Sequence, residues 1–214
     1  MFLLSDEISF PNVKFADQNG LLAIGGDLSM ERLKLAYKSG IFPWYSEGEP
    51  ILWYSPDPRM VLFPDELKIA KSMRQIIRSN RFRVTFNQAF EEVIRNCKNI
   101  DRKNQGQDGT WITNEMLDSY IELHKEGTAK SVEVWEGDEL VGGLYGVEVG
   151  TVFCGESMFS KVSNASKVAL VALVQHNEKP YTLIDCQIYN NHLASLGAQE
   201  ISRQGFLGYL QQDH

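Results

Sequence analysis

Cysteine is scarce in this 214-residue chain, with three (Cys97, Cys154, Cys186) far apart and none in a CxxC pair. That excludes a disulfide framework and a cysteine-rich zinc site, and it suits a reducing compartment. No apolar run approaches the roughly 20 residues a membrane span requires. The opening Met1-Phe-Leu-Leu-Ser-Asp-Glu has no basic region followed by a long apolar stretch, so it does not read as a signal peptide. Internal repeats and low-complexity segments are missing. Gly25-Gly26-Asp27 is not a P-loop, and Gly142-Gly143 lacks the GxGxxG spacing. Four histidines are present, but no two of them stand with an acid at metal-ligand spacing, and no Ser-His-Asp set can be asserted. What remains is an ordinary globular mixture, 43% hydrophobic and 23% charged, long enough to bury a real core.

The net charge of -7 argues by itself against a nucleic-acid partner, but the distribution does not. Residues 68–103 carry ten basic residues against three acidic ones, a local charge of +7. The remainder carries eleven against twenty-five, or -14. A basic zone on an acidic body can guide a polyanion to one place. The same run also describes a plain solvated helix face.

Ser29 as N-cap and Gly40 as stop predict a helix over 28–40. Pro43, Pro56 and Pro58 then impose extended turns rich in aromatics. An amphipathic helix over 65–79 places Lys68, Lys71, Arg74 and Arg78 on one side and Ile69, Met73, Ile76 and Ile77 on the other. Further helices follow Asn87 and Thr113. The period then changes, and Ser131–Trp135, Leu140–Val147 and Thr151–Phe159 read as strands. A helix over Asn164–His176, a strand over Thr182–Ile188 and a helix over His192–Ser202 complete the chain. The expected class is α+β, with a small N-terminal α/β domain over 1–63 and a larger domain with a mostly antiparallel sheet over 64–214.

Three polar groups interrupt apolar strands. Glu156 sits between Phe153 and Met158 at a strand end. Asp185 and Gln187 lie in Leu183-Ile-Asp-Cys-Gln-Ile, and strand alternation predicts that they share a face. Asn190, Asn191 and His192 open the next helix as good capping residues. Trp44 and Trp111 lie in turn-like contexts near the basic zone, where flat rings could stack on a nucleobase or simply fill the core.

The stretches Leu21-Leu-Ala-Ile-Gly-Gly-Asp-Leu-Ser, Gly40-Ile-Phe-Pro-Trp and Ile51-Leu-Trp-Tyr-Ser-Pro-Asp-Pro-Arg stand together with Thr110-Trp-Ile and Ser131-Val-Glu-Val-Trp. They continue with Leu140-Val-Gly-Gly-Leu-Tyr-Gly, Phe153-Cys-Gly-Glu-Ser-Met-Phe-Ser, Asn164-Ala-Ser-Lys and Ile184-Asp-Cys-Gln. From about residue 10 to residue 210 the chain resembles the leucyl/phenylalanyl-tRNA–protein transferases. The resemblance implies a bacterial cytoplasmic enzyme with a GNAT-like catalytic domain, working as a monomer without a cofactor, a metal or a membrane. It would move Leu, Phe or, less well, Met from aminoacyl-tRNA to the N-terminal Lys or Arg of a protein, marking that protein for N-degron-dependent degradation.

By the same resemblance, Trp44 and Trp111 would hold the 3′ adenosine. Leu144, Phe153, Met158, Leu173 and Ile184 would line the amino-acid pocket. Glu156, Asp185, Gln187 and Asn190 would form the polar centre. The chemistry of aminolysis suggests that Asp185 and Gln187 orient the amine, with Asp185 assisting proton transfer either directly or through Gln187. Lys71, Arg74 and Arg78 would meet the tRNA backbone. Two other readings compete: an acyl-CoA-dependent N-acyltransferase, disfavoured because residues 160–167 contain no glycine, and a non-catalytic tRNA-binding protein.

Overall fold

The computed structural model describes residues 2–99, 112–176 and 180–212. Its first unit is a four-stranded sheet with the order β1 (Phe2–Leu4), β2 (Leu21–Gly25), β4 (Leu52–Tyr54), β3 (Phe42–Pro43), packed with helix α1 (Met30–Lys38). The Ser29 side chain accepts from the Arg32 amide, and Gly40 follows with φ 71°, so both predicted ends of α1 are where cap chemistry puts them.

The second unit is a seven-stranded sheet. Its strands are β5 (Arg59–Leu62), β6 (Arg83–Phe86), β7 (Ala129–Glu136), β8 (Glu139–Val149), β9 (Val152–Ser160), β10 (Leu183–Gln187) and β11 (Gln199–Ile201). The spatial order is β11-β5-β10-β9-β8-β7-β6, and β9–β10 is its one parallel pair among the described residues. The α+β class and the mostly antiparallel sheet agree with expectation. Residues 59–62, expected with the N-terminal domain, instead form a strand inside the large sheet, because their alternate side chains are buried on both of its faces.

Helices α3 (Phe90–Asn99) and α4 (Asn114–Lys125) cover one face of this sheet, and α5 (Ala165–Val174) covers the other. The α3/α4 face and the first unit share a single core, joining Trp53, Leu33 and Tyr37 to Phe90, Tyr120, Tyr145 and Cys154. The α5 face has its own core of Leu144, Phe153, Ile184, Leu173 and Leu62. The helix expected over 65–79 is a short 3-10 turn at Pro64–Glu66 followed by α2 (Lys71–Arg78). The helix expected over 192–202 is α6 (Asn191–Ser195) followed by β11, and α7 (Arg203–Leu210) closes the chain.

One irregularity prepares the site. Tyr145 pairs with Ser157 and Gly146 with Gly155, so Glu156 is the extra residue of a bulge in β9. Gly146 makes it possible, since a Cβ there would lie 2.2 Å from the Cys154 carbonyl oxygen. Glu156 meets Tyr120 of α4 there, on the α3/α4 face.

Candidate active site

β9 and β10 pair only from Leu183–Val152 to Asp185–Cys154. Past that point β9 continues along β8, while β10 ends at Gln187 with φ 65°. A positive φ on a residue other than glycine costs of order 1–3 kcal/mol and persists only where the surroundings enforce it. Here the enforcing contact is the Gln187 amide, which donates to Asp185 Oδ1 at 2.9 Å.

Asp185 itself is completely buried and held by Arg59. Arg59 Nε donates to Oδ1 at 2.8 Å and Nη2 to Oδ2 at 2.7 Å, a bidentate pair. The guanidinium lies 4.8 Å from the Phe42 ring centroid and 4.6 Å from that of Phe206, and Nη1 donates to the Gly40 carbonyl. One buried cation thus ties the first unit, α7 and the end of β10 together. Burial works to lower the Arg59 pKa, but the adjacent Asp185 charge and hydrogen bonds raise it overall.

Gln187 turns its side chain away from Asp185. Its Nε2 donates to Glu156 Oε1 at 2.7 Å. Only the NH₂ end can donate to a carboxylate, so the amide oxygen is the end left to accept from another group. Glu156 Oε2 accepts from the Tyr120 hydroxyl at 3.3 Å, and the Tyr120 and Tyr37 hydroxyls are hydrogen-bonded to each other. Burial, reinforced by the Asp185 charge, pushes the Glu156 pKa up to about 7, while hydrogen bonds from Tyr37, Tyr120 and Gln187 restrain the rise. Among the described residues no Lys or Arg forms an ion pair with Glu156.

The register shifts between Asp185 and Gln187, and φ is positive at Gln187, yet its side chain still reaches Glu156 on the face that Asp185 occupies. Asp185 is completely buried, and its two oxygens accept from Arg59 and from the Gln187 amide. The acidic residues and the apolar set also lie on opposite faces. Asp185 and Glu156 face the α3/α4 side, whereas Leu144, Phe153, Ile184 and Leu173 are buried on the α5 side, with Met158 half-buried against them. β9 and β10 part beside Gly155, Glu156 and Gln187.

Asn190 is exposed and caps α6, its Oδ1 accepting from the Leu193 amide at 3.1 Å. Trp44 is half-buried, its ring 5.7 Å from that of Tyr54. Trp111 lies outside the described residues. Lys71, Arg74 and Arg78 are all exposed on α2 around a buried Met73, although Ile77, expected beneath the helix, is 37% exposed. Arg59, Tyr37 and Tyr120 are the site residues that sequence reasoning did not single out as functional. Arg59 was visible only as the end of the Ser-Pro-Asp-Pro-Arg stretch, and Tyr120 only as a residue of the helix expected after Thr113. Among the described residues no cluster of His, Cys, Asp and Glu is arranged to hold a metal, and no helix is long and apolar enough to cross a membrane.

An acid–amide centre supported by a buried ion pair, with a basic helix elsewhere on the surface, is equipped for group transfer, and comparison with known proteins agrees that the chain is an aminoacyltransferase. Residues 61–211 match the leucyl/phenylalanyl-tRNA protein transferase family, and residues 26–57 match the N-terminal domain of the same family. A leucyl/phenylalanyl-tRNA–protein transferase of Flavobacterium johnsoniae is 63% identical over 98% of this chain and 99% of its own. One from Flavobacterium psychrophilum is 60% identical, also over 98% of this chain and 99% of its own. Among solved structures, a GCN5-related N-acetyltransferase from Kribbella flavida aligns with 78% of this chain and 58% of its own, at 10% identity and a TM-score of 0.37. The chain belongs to the leucyl/phenylalanyl-tRNA–protein transferase family.

Proposed function

We propose that this protein transfers Leu or Phe, and less well Met, from aminoacyl-tRNA to the N-terminal Lys or Arg of acceptor proteins. The reaction runs in the cytoplasm on a monomer, and its product carries a destabilising N-terminus. The observation that carries the reading is the Gln187–Glu156 pair at the fork of β9 and β10, held in place by Asp185 and Arg59.

The chemistry is aminolysis of an activated ester. An α-amine has a pKa near 7.7–8.0, so a useful fraction is already neutral at cellular pH, and forming the nucleophile costs on the order of 1 kcal/mol. The remaining work is to position the amine and to remove a proton from the nitrogen as it attacks. The Gln187 amide oxygen accepts from the incoming amine and aims it. Asp185 acts through Gln187, fixing the backbone turn that presents this side chain, and is a positioning residue. Glu156 supplies a negative charge beside the cationic acceptor side chain. A single carboxylate attracts both Lys and Arg, whereas a bidentate clamp would favour Arg.

The apolar residues Leu144, Phe153, Met158, Leu173 and Ile184 take the esterified side chain on the α5 side. One methylene in such a pocket is worth about 1–3 kcal/mol, so Leu, Phe and Met share it and discrimination among them is weak. Trp44 and Trp111 stack on the terminal adenosine, Asn190 borders the polar centre, and Lys71, Arg74 and Arg78 contact phosphates without reading sequence.

The test is labelled Leu-tRNA with peptides that begin with Lys, Arg or Ala, run beside labelled acetyl-CoA. Label on the Lys and Arg peptides from Leu-tRNA alone supports the reading. Transfer from acetyl-CoA instead, or none from Leu-tRNA, rejects it.

A further inference from the structure

The reaction releases a proton. An acceptor arriving as an ammonium ion forms one N–C bond and breaks the ester C–O bond. One of its protons ends on the departing 3′ oxygen, one stays on the amide nitrogen, and the third must leave. With aminoacyl-tRNA and acceptor protein both seated, the fork of β9 and β10 is covered by substrate, so an exit on the far side is useful.

The structure contains a route. Glu156 is buried on β9, Tyr120 reaches it from α4, and Tyr37 of α1 meets Tyr120 from the first unit. Tyr37 also lines a separate cavity of about 240 Å³ between α1, β8 and α7, together with Lys34, Lys38, Thr128, Val149 and Leu210. We propose that Glu156, Tyr120 and Tyr37 form a proton path from the transfer centre to this cavity, so that the N-terminal unit supplies a working residue to the reaction. The inference rests on the aminoacyl-transfer reading above.

Each step balances. The Glu156 carboxylate takes the proton from the attacking nitrogen. It then donates to the Tyr120 oxygen as Tyr120 passes its own proton to Tyr37, and Tyr37 releases one to water in the cavity. Glu156 returns to carboxylate and both phenols end neutral. Neither phenol need ionise, which agrees with burial and the nearby Glu156 charge holding both pKa values well above the ordinary phenol value. The charged and titratable groups around Glu156 are Asp185 on β10, Arg59 on β5, Cys154 on β9 and Tyr145 on β8, besides the two tyrosines. The Asp185 charge is matched by Arg59, and the Cys154 thiol is kept neutral by burial.

Tyr37→Phe, Tyr120→Phe and the double variant test the path, since each removes only an oxygen and keeps the ring contacts. Single-turnover transfer from saturating Leu-tRNA to a Lys-started peptide is followed in H₂O and D₂O across pH, with thermal unfolding and Leu-tRNA binding as controls. The expected result is a loss of about tenfold or more in Tyr37→Phe, a size ordinary for a disabled proton transfer, and a loss no larger in Tyr120→Phe, since Tyr37 also hydrogen-bonds Glu156. A changed solvent isotope effect and unchanged Leu-tRNA affinity accompany it. The double variant is no slower than the worse single one, because a chain already broken is not broken further. Losses that multiply in the double variant, or full rates with an unchanged isotope effect, overturn the path. If Tyr120→Phe unfolds, Tyr37→Phe at the far end decides alone. A wild-type protein that transfers nothing defeats the underlying reading, whereas active wild type with indifferent variants defeats only the path.

Discussion

Replacing Arg59 by Met removes the cation from a fully buried pair and leaves the Asp185 carboxylate with the Gln187 amide as its remaining donor. Stripping one partner from a buried pair costs about 3–5 kcal/mol, because the other charge stays desolvated. For a chain of this size each kcal/mol moves the melting temperature by roughly 2–4 °C, so Tm should fall by roughly 6–20 °C. The double variant Arg59→Met/Asp185→Leu buries no charge and should recover most of the stability. It should not recover transfer, because the Gln187 amide has lost the carboxylate that holds its turn. Thermal unfolding and a single-turnover assay check both halves. An Arg59→Met protein as stable as wild type, or a double variant that regains transfer, would refute the reasoning.

Glu156 has a folded-state pKa near 7, above its ordinary value of 4.5. Its contribution to stability is therefore fully present below about pH 4.5 and is lost as pH rises through about 7, and Glu156→Gln should flatten that part of the stability profile. Transfer, which uses the carboxylate, should rise over the same range in wild type and lose that rise in Glu156→Gln. Arg74→Ala and Arg78→Ala should weaken tRNA binding and each reduce the slope of log K against log salt by about 1, whereas an unchanged slope would remove α2 from the interface. Leu173→Ala opens a buried cavity and should cost about 2–5 kcal/mol on unfolding while shifting the Leu-to-Phe transfer ratio. A stable variant with an unaltered ratio would place the side-chain pocket elsewhere.

Helix α1 could be read from Ser29 and Gly40 because caps are local chemistry. The three long strands and α5 were legible in their periods for the same reason. The short strands β5, β6 and β11 were not, since three or four residues carry too little pattern to set them apart from turns. At the centre, residue types were readable and geometry was not. Alternation put Asp185 and Gln187 together, but it did not announce the positive φ at Gln187 or the hydrogen bond that its side chain makes to Glu156. Arg59 escaped notice because arginine is a surface residue by default, and what buries it is a carboxylate 126 positions away. Tyr37 and Tyr120 are 83 positions apart, so nothing in their own neighbourhoods announces a shared hydrogen bond. The bulge at Glu156 depends on Gly146 across the strand pair, a relation visible only once the register is known.

On the proposed reading the incoming amine is received by Gln187 beside Glu156, with Asp185 supporting from behind. Gln187→Ala, measured at saturating Leu-tRNA in single turnovers beside direct Leu-tRNA binding, is the decisive variant. Its transfer step should fall on the order of a hundredfold, typical of losing a group that aims or deprotonates a nucleophile, with the affinity for Leu-tRNA unchanged. A variant that transfers Leu at the wild-type rate, or whose only defect is weaker tRNA binding, would contradict it.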